Sequence, residues 1–349
     1  MGNKTLIFNA IPTGVPEPGK HLVVEDKPFD VASTAAPEGG LLVENLYASY
    51  DPYLRGRMRD PKVKSYAPAF EIGEPIVNST ISRVLKSGHA DYAEGELVKA
   101  FLPIAEYGVV APGAAGMDRV QKFQNPSNLD LGMFLGPLGM PGLTAYAGLQ
   151  KIGQPKKGET VFVSSAAGAV GQVVGQVAKQ LGLKVVGSVG SDAKLDFITK
   201  ELGFDGGFNY KKESAFDALP RLAPDGIDIY FENVGGEQLD AALVNMNTHG
   251  RIPVCGMISG YNTPADEKYG VKNIFQLIPK LVTMQGFLVG QPEFGAAYFK
   301  EHQETVQKWL ADGSFKAKLH VTEGIDNAAE GFVGMLQGDN FGKAVLKIK

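Results

Sequence analysis

Cysteine is almost absent from this 349-residue chain, in which Cys255 is the only one. A single cysteine cannot form an intramolecular disulfide, and it excludes a structural zinc site built from several thiolates. The five histidines are scattered, without H-E-x-x-H or any comparable ligand spacing. The sequence therefore predicts no metal site, and each histidine is interpreted as a surface or core residue.

An excess of one charge is also lacking, since 34 Lys and Arg stand against 38 Asp and Glu for a net charge of −4. Without a basic block, nucleic acid and anionic membranes are poor partners. No apolar run approaches the roughly 20 residues that cross a bilayer, and no basic-then-apolar segment opens the chain. We expect a soluble, cytoplasmic protein that acts on small molecules.

A strand, a glycine turn, a helix and a second strand are predicted in succession from Thr160 onward. The strand Thr160–Ser164 is an uninterrupted β-branched and aromatic run, as in a parallel sheet that is buried on both faces. The turn has the pattern A-x-G-x-x-G, in which Gly168 would let a pyrophosphate approach and Gly171 would let the helix pack closely. The helix is expected over 170–181 and the second strand over 184–189. The alternative is a packing motif in another α/β protein, but the order of elements favours a dinucleotide site.

The end of the second strand predicts which dinucleotide binds. An NAD site usually has Asp or Glu about 20 residues after the glycines, and no acid occupies residues 187–189. Ser191 and Lys194 follow instead, a hydroxyl and a cation that suit a ribose phosphate. Asp192 favours NAD, and Lys194 has the alternative of a solvated lysine. The missing acid favours NADP.

Two domains are predicted from the change of pattern along the chain. Residues 1–128 are rich in Gly and Pro with short β-type runs, which indicates a small, mostly antiparallel and partly barrel-like domain. Residues 129–312 alternate strand and helix as a doubly wound parallel sheet does. Residues 313–349 return to the style of the first domain, so the second domain is inserted into the first.

The segment D-P-Y-L-R-G-R-M at 51–58 is unusual for a loop, since it combines Tyr53 with the guanidinium groups of Arg55 and Arg57. The two arginines favour a surface ion-pair cluster. Tyr53 is either a core aromatic residue with a wet hydroxyl or a pocket residue that donates a hydrogen bond to a substrate oxygen.

Seven further segments accompany D-P-Y-L-R-G-R-M: G-P-L-G-M-P-G-L-T-A-Y (136–146), A-A-G-A-V-G (166–171), V-G-S-D-A-K (189–194), G-F-D-G-G-F-N-Y (203–210), F-E-N-V-G-G (231–236), C-G-M-I-S-G-Y-N (255–262) and G-D-N-F-G-K (338–343). Together they resemble the zinc-independent medium-chain dehydrogenase/reductase superfamily over nearly the whole chain. Within it they are most similar to the NADP-dependent alkenal double-bond reductases, which include prostaglandin reductases and bacterial curcumin reductase. Glu232 stands where relatives often have Asp. Gly260 replaces a larger polar residue and is expected to widen the substrate pocket.

The resemblance implies a Rossmann domain, a GroES-like catalytic domain, bound NADPH and a homodimer. It assigns cofactor contacts to residues in both domains. The pyrophosphate would contact Gly168, Ala169, Val170 and Gly171. The ribose phosphate would contact Lys194 and Tyr210. The remaining cofactor contacts would be Asn233, Cys255, Gly256, Ile258, Ser259, Tyr261, Phe287, Leu288, Val289 and Asn340. For Cys255 the side chain is interpreted as packing, with only its backbone near the cofactor.

The leading functional hypothesis is reduction of the carbon–carbon double bond of an α,β-unsaturated ketone or aldehyde by NADPH. Negative charge then develops on the carbonyl oxygen, which needs a hydrogen-bond donor. Tyr261 is the first candidate and Tyr53 the second, because a phenol is protonated at neutral pH. Tyr261 has the alternative of only shaping the pocket, with the cofactor ribose as donor. A zinc-independent quinone reductase and a non-catalytic NADPH-binding sensor or structural protein are the alternative functions, and a zinc alcohol dehydrogenase is disfavoured.

Overall fold

The computed structural model describes residues 2–349, which contain fifteen strands and eight α-helices. The strands are, in chain order, β1 (Gly2–Phe8), β2 (Leu22–Pro28), β3 (Leu41–Ser49), β4 (Val77–Ser87), β5 (Leu97–Pro103), β6 (Tyr107–Val110), β7 (Gln121–Lys122), β8 (Thr160–Val163), β9 (Lys184–Val189), β10 (Gly206–Asn209), β11 (Ile227–Phe231), β12 (Met246–Val254), β13 (Thr283–Gly286), β14 (Leu319–Glu323) and β15 (Lys343–Lys347). The helices are α1 (Tyr53–Arg57), α2 (Met140–Gly148), α3 (Gly171–Gln180), α4 (Asp192–Asp196), α5 (Ala215–Leu222), α6 (Gly236–Asn245), α7 (Gly295–Asp312) and α8 (Ala328–Gln337).

The chain divides into two compact units, one of which contains both ends of the chain. The first unit is Met1–Leu135 with Leu319–Lys349, and the second is Gly136–Lys318. The domain limits expected from the sequence, 1–128 with 313–349 and 129–312, remain a proposal. No helix within residues 2–349 has both the length and the apolar character that a membrane span requires.

The second unit is built on a six-stranded sheet in the order β10-β9-β8-β11-β12-β13, with every neighbouring pair parallel. This is the strand order of a dinucleotide-binding sheet. Successive strands are added on one side of β8 as far as β10, and then on the other side of β8 from β11 to β13. The four residues of β8 are all buried, as the uninterrupted apolar run predicted. The predicted doubly wound fold is confirmed.

The first unit is built on a mixed sheet in the order β14-β15-β3-β4-β5-β7, with β6 also paired to β3 and with β1 and β2 forming a separate antiparallel pair. All its ladders are antiparallel except β14 with β15. Helix α8 packs its apolar face into a core that contains Tyr50 and Phe332. The expectation of a mostly antiparallel domain is confirmed.

Two local predictions were wrong, and one helix was missed. Part of the segment 51–58, expected as a loop, is the short helix α1, and Arg55 is not in a surface cluster: it is 8% exposed and donates to the carbonyl oxygens of Pro12 and Gly14. Helix α8 was not predicted at all. The segment M-Q-G-F-L-V at 284–289 predicts one more strand, but β13 ends at Gly286, because the Phe287 ring packs against helix α2 at Gly148 instead of continuing the ladder.

Candidate functional site

The glycine turn between β8 and α3 lies at the carboxyl end of the sheet, beside the point where the strand order reverses. Ser165 has a left-handed backbone with φ of 53°, and the N–H of Ala166 donates to the carbonyl oxygen of Ser188 in β9 at 2.9 Å. A Cβ on Gly171 would lie 2.3 Å from the carbonyl oxygen of Ser165, so a larger residue does not fit where α3 starts. The turn therefore brings the α3 terminus as close to the strand as a pyrophosphate site requires.

The first turn of α3 has no side-chain cap. Its N-cap residue is Val170, which has no polar side chain to accept hydrogen bonds from the first N–H groups of the helix. These N–H groups and the positive end of the helix dipole suit a phosphate. Gly168 to Gly171 lie in this turn, and their surroundings fit a dinucleotide.

The predicted ribose-phosphate residues lie where β9 and β10 end. The Ser191 hydroxyl accepts from the Lys194 N–H at 3.3 Å and so caps α4. The Tyr210 phenol oxygen would be 2.9 Å from a Cβ on Gly190, so the ring occupies the space that a side chain at Gly190 would need. Ser191, Lys194 and Tyr210 thus surround one strand end, although they are up to 19 positions apart.

Asp192 lies at the same strand end, with both carboxylate oxygens engaged. Oδ1 accepts from the side-chain amide of Asn209 at 2.9 Å, and Oδ2 pairs with the ammonium of Lys212. The hydrogen bonds from Lys212 and Asn209 lower the pKa of Asp192, so the group is ionised and paired at neutral pH. Because Lys212 balances the charge of Asp192, an acid can lie where the ribose phosphate of NADPH is expected.

Glu232 joins three strand ends at the cofactor edge, and the sequence did not predict it as a site residue. Its Oε1 accepts from the hydroxyls of Tyr230 and Ser164 and from the N–H groups of Val234 and Gly235, at 2.6 to 3.3 Å. Its carbonyl oxygen accepts from Cys255 N–H, which ties the end of β12 to β11. Burial raises the pKa of Glu232, against the effect of these hydrogen bonds, and among residues 2–349 its Oε2 has no partner.

Asn233 is fixed by the end of β8. Its side-chain amide donates to the carbonyl oxygen of Ser164 at 2.8 Å, and its N–H donates to the Ser164 hydroxyl at 2.9 Å. Its own carbonyl oxygen accepts from Ile258 N–H at 3.2 Å. Asn233 therefore connects the two central strand ends to the loop that carries Tyr261.

The loop 255–261 folds back on itself around the phenol of Tyr261. The Tyr261 oxygen lies 3.4 Å from the Met257 N–H, which donates to it, and 3.1 Å from where a Cβ on Gly256 would be. Ser259 N–H donates to the carbonyl oxygen of Val234 at 3.0 Å. Burial and the neighbouring Glu232 raise the pKa of the Cys255 thiol to about 12, so the group is a thiol and not a nucleophilic thiolate at neutral pH.

Three predicted cofactor residues follow β13. The Phe287 ring contacts the rings of Phe231 and Phe294, with centroids 6.4 and 5.1 Å apart, while Leu288 is exposed. Val289 directs its carbonyl oxygen toward Gly295, the first residue of α7. The three residues are adjacent, but their side chains meet different surroundings.

Tyr53 and Asn340 belong to the first unit. The Tyr53 phenol donates to the Asn78 side-chain oxygen at 2.9 Å, and burial raises its pKa well above the ordinary value. The Asn340 side chain donates to the carbonyl oxygen of Gly342 at 2.7 Å within the turn before β15. Within residues 2–349, no group of three or more His, Cys, Asp or Glu side chains is arranged to hold a metal ion.

Comparison with known families matches two parts of the chain. Residues 4–118 match a family described as the N-terminal domain of oxidoreductase, and residues 169–307 match one described as zinc-binding dehydrogenase. NADP-dependent oxidoreductase RED1 of Cochliobolus heterostrophus is 52% identical over 99% of this chain and 97% of its own. The NADP(+)-dependent 2-alkenal reductase of Nicotiana tabacum is 44% identical over 100% and 98%. The crystal structure of CurA in complex with NADPH, from Vibrio vulnificus, is 35% identical over 99% of both chains, with a TM-score of 0.89.

Proposed function

The chain belongs to the zinc-independent, NADP-dependent reductases of the medium-chain dehydrogenase/reductase family, and we propose that it reduces the carbon–carbon double bond of α,β-unsaturated ketones and aldehydes. It is an NADP-dependent oxidoreductase, and NADPH is its cofactor. The observation that carries the proposal is the position of Tyr261, whose phenol is held over Gly256 by the Met257 N–H. The similarity to a 2-alkenal reductase supports the same substrate class.

The Tyr261 phenol accepts a hydrogen bond from its own loop. In accepting from Met257 N–H, the phenol uses an oxygen lone pair and not its proton. NADPH, held by Gly168 to Gly171, would supply the hydride, and the residues of this chain would have to stabilise the negative charge that develops on the substrate carbonyl oxygen. We assign the donor that stabilises this charge to Tyr261, with proton delivery to the α-carbon completing the reduction.

The other predicted site residues would bind the cofactor or orient the loop that carries Tyr261. Gly168 to Gly171 would hold the pyrophosphate, while Ser191, Lys194 and Tyr210 would select the extra phosphate of NADPH. Asn233, Ile258 and Ser259 would hold the loop of Tyr261 against the end of β11, through the backbone bonds described above. Phe287 to Val289 would close the nicotinamide side, and Asn340 would be a further cofactor contact.

The proposal is tested by following NADPH oxidation at 340 nm against a panel of enones and enals, with the product identified by mass spectrometry and NMR. We expect a product two hydrogens heavier that keeps its carbonyl group. The matched saturated ketones serve as the control and should not be reduced. An allylic alcohol as product, or turnover of simple quinones without any enone, would contradict the proposal.

We also propose a homodimer formed along β13, the edge strand of the parallel sheet. An edge strand offers unpaired backbone groups that a second copy can continue. Phe275 and Ile278, just before this strand, are 66% and 67% exposed, as expected of apolar residues that a second copy covers. Light scattering should give twice 37.2 kDa. The double substitution Phe275→Glu and Ile278→Lys should give a monomer, whereas Ile72→Glu, also at an exposed apolar site, should not.

We propose a cytoplasmic location, because a chain with one cysteine gains no internal disulfide from an oxidising compartment. Subcellular fractionation of the untagged protein in its native cells tests this placement. Recovery in a membrane or organelle fraction would contradict it.

A further inference from the structure

A buried chain of hydrogen bonds in the first unit joins the 51–58 segment to the start of the last strand. The Lys343 ammonium is 1% exposed and donates to Asp51 Oδ1 at 2.7 Å and to the Tyr50 carbonyl oxygen at 2.6 Å. Asp51 Oδ2 accepts from the Asn78 side-chain amide at 2.8 Å. Asn78 Oδ1 in turn accepts from the Tyr53 phenol at 2.9 Å. Lys343, Asp51, Asn78 and Tyr53 are called the Tyr53 network below.

The chemistry of the partners fixes the direction of every bond in the Tyr53 network. The Asn78 NH₂ group donates to the Ser49 carbonyl oxygen and to the Asp51 carboxylate, both of which only accept. If the Asn78 amide were flipped, its oxygen would face those two acceptors and could not form a hydrogen bond with either. The Asn78 oxygen must therefore face Tyr53, and the one phenolic proton of Tyr53 must point at Asn78.

The Arg57 guanidinium lies near the same phenol, and its charge acts to lower the pKa of Tyr53 against the larger effect of burial. The guanidinium stacks over the Phe70 ring, with 3.9 Å from its carbon to the ring centroid, and donates to the carbonyl oxygens of Pro68 and Val77. Because the phenolic proton is given to Asn78, the Tyr53 oxygen can only accept any further hydrogen bond.

A buried lysine–carboxylate pair contributes little net stability, because removing both charges from water costs about as much as their attraction returns. The function of the Lys343–Asp51 pair is better explained by the orientation that it gives to Asn78. The Asp51 carboxylate orients the Asn78 amide, and Lys343 holds Asp51 in place.

We propose that Lys343, Asp51 and Asn78 are positioning residues, which hold Tyr53 as a hydrogen-bond acceptor for substrate and prevent it from acting as donor to the reacting carbonyl oxygen. This inference rests on the proposed enone reduction and deepens it. It separates the two tyrosines that the sequence offered as donors, leaving that role to Tyr261. A substrate hydroxyl or other donor is the group that Tyr53 would recognise.

The test is a double-mutant cycle with Tyr53→Phe, Asn78→Leu and the double variant, in steady-state kinetics with NADPH and a hydroxylated enone. Each single substitution should raise KM about fivefold with kcat changed less than about twofold, as for one lost neutral hydrogen bond that acts in binding. The double variant should be no worse than either single one, because Asn78 acts through Tyr53. Tyr92→Phe removes a phenol elsewhere in the same unit, where it donates to the Val120 carbonyl oxygen, and should change neither constant.

Folding of each variant is checked by thermal denaturation and by the NADPH dissociation constant, and Asn78→Ser replaces Asn78→Leu if the latter does not fold. A fall in kcat of about 100-fold in Tyr53→Phe would show a catalytic donor and overturn the proposal. Additive effects on KM would overturn the positioning role while leaving enone reduction intact. A wild-type protein that turns over no enone would contradict the proposed function itself, and this inference with it.

Discussion

The ammonium group of Lys212 contacts the carboxylate of Asp192 at the strand end where the ribose phosphate of NADPH is expected. Both side chains are well exposed, so the pair contributes little to stability. Its electrostatic effect is more important, because Lys212 cancels a negative charge that would otherwise repel a phosphate carrying nearly two.

We expect Lys212→Met to weaken NADPH binding about threefold and leave NADH binding unchanged, because a unit charge a few ångströms away in water contributes about 1 kcal/mol or less. Adding Asp192→Asn to that variant should restore NADPH binding. Nucleotide fluorescence titration measures both dissociation constants, and the difference should shrink at high salt. Lys200→Met removes a lysine from another exposed pair, with Asp196, and is the control. Equal losses for the two nucleotides would rule out a role in selectivity.

Gly171→Ala is expected to disrupt the phosphate turn. The new Cβ would lie 2.3 Å from the Ser165 carbonyl oxygen and 2.8 Å from the Ala166 Cα, so the backbone must move. Overpacking of this kind costs about 1–3 kcal/mol, and we expect a lower melting temperature and NADPH binding weakened by more than about tenfold. A Cβ on Gly270 meets no atom within 4 Å, so Gly270→Ala is the matched control. Unchanged affinity in Gly171→Ala would place the pyrophosphate elsewhere.

The sequence predicted the elements whose signals are local. β9 occurs at the predicted residues, and α3 differs from the predicted helix by one residue at each end, because strand, glycine and helical periodicity follow in one short stretch. Helix α8 carried the same kind of signal, an apolar face with Phe332 and Leu336 at helical spacing, and was overlooked. The strand that contains Gln285 was predicted to be too long. An apolar run has the same sequence pattern whether its backbone pairs in a sheet or its side chains pack outside the sheet.

The Tyr53 network had no local signal. Lys343 and Asp51 are 292 positions apart, and in sequence a buried lysine does not differ from a solvated one. Glu232 was noted only as a departure from Asp, because the three strand ends it joins meet only in the folded sheet. Long-range polar contacts of this kind depend on the tertiary fold, which residue patterns do not specify.

Tyr261→Phe should lower kcat about 100-fold or more with little change in KM, since the hydroxyl is assigned to charge that develops only in the transition state. The ring and its packing remain, so binding should be preserved. Tyr269→Phe removes a nearby phenol that donates to Asp240 and should leave kcat unchanged. Unchanged turnover and KM in Tyr261→Phe would assign the donor role to another group, such as the cofactor ribose.

Stability should depend on pH through Glu232. Burial raises the folded-state pKa of this carboxyl above its unfolded value, so the folded protein binds the proton more tightly. Its contribution to stability is therefore fully present below the unfolded pKa and is lost as pH rises through the folded pKa. In Glu232→Gln the neutral amide cannot titrate. We expect the melting temperature of the wild type, relative to this variant, to fall as pH rises above the ordinary glutamate pKa.

Glu159 provides a control with the opposite sign. Burial acts to raise the pKa of Glu159, but the hydrogen bonds from Arg251 and from the Lys156 N–H, together with the charges of both residues, outweigh it and the pKa is lowered. Its contribution is present above the unfolded pKa and is lost as pH falls through the folded one, so the advantage of wild type over Glu159→Gln should grow as pH rises toward the ordinary glutamate pKa and then level off. Two glutamates in one unit should thus give slopes of opposite sign in the same thermal assay. A flat difference for Glu232→Gln would mean that its carboxyl is not perturbed by burial, and that the hydrogen bonds from Val234 and Gly235 balance the cost of removing it from water.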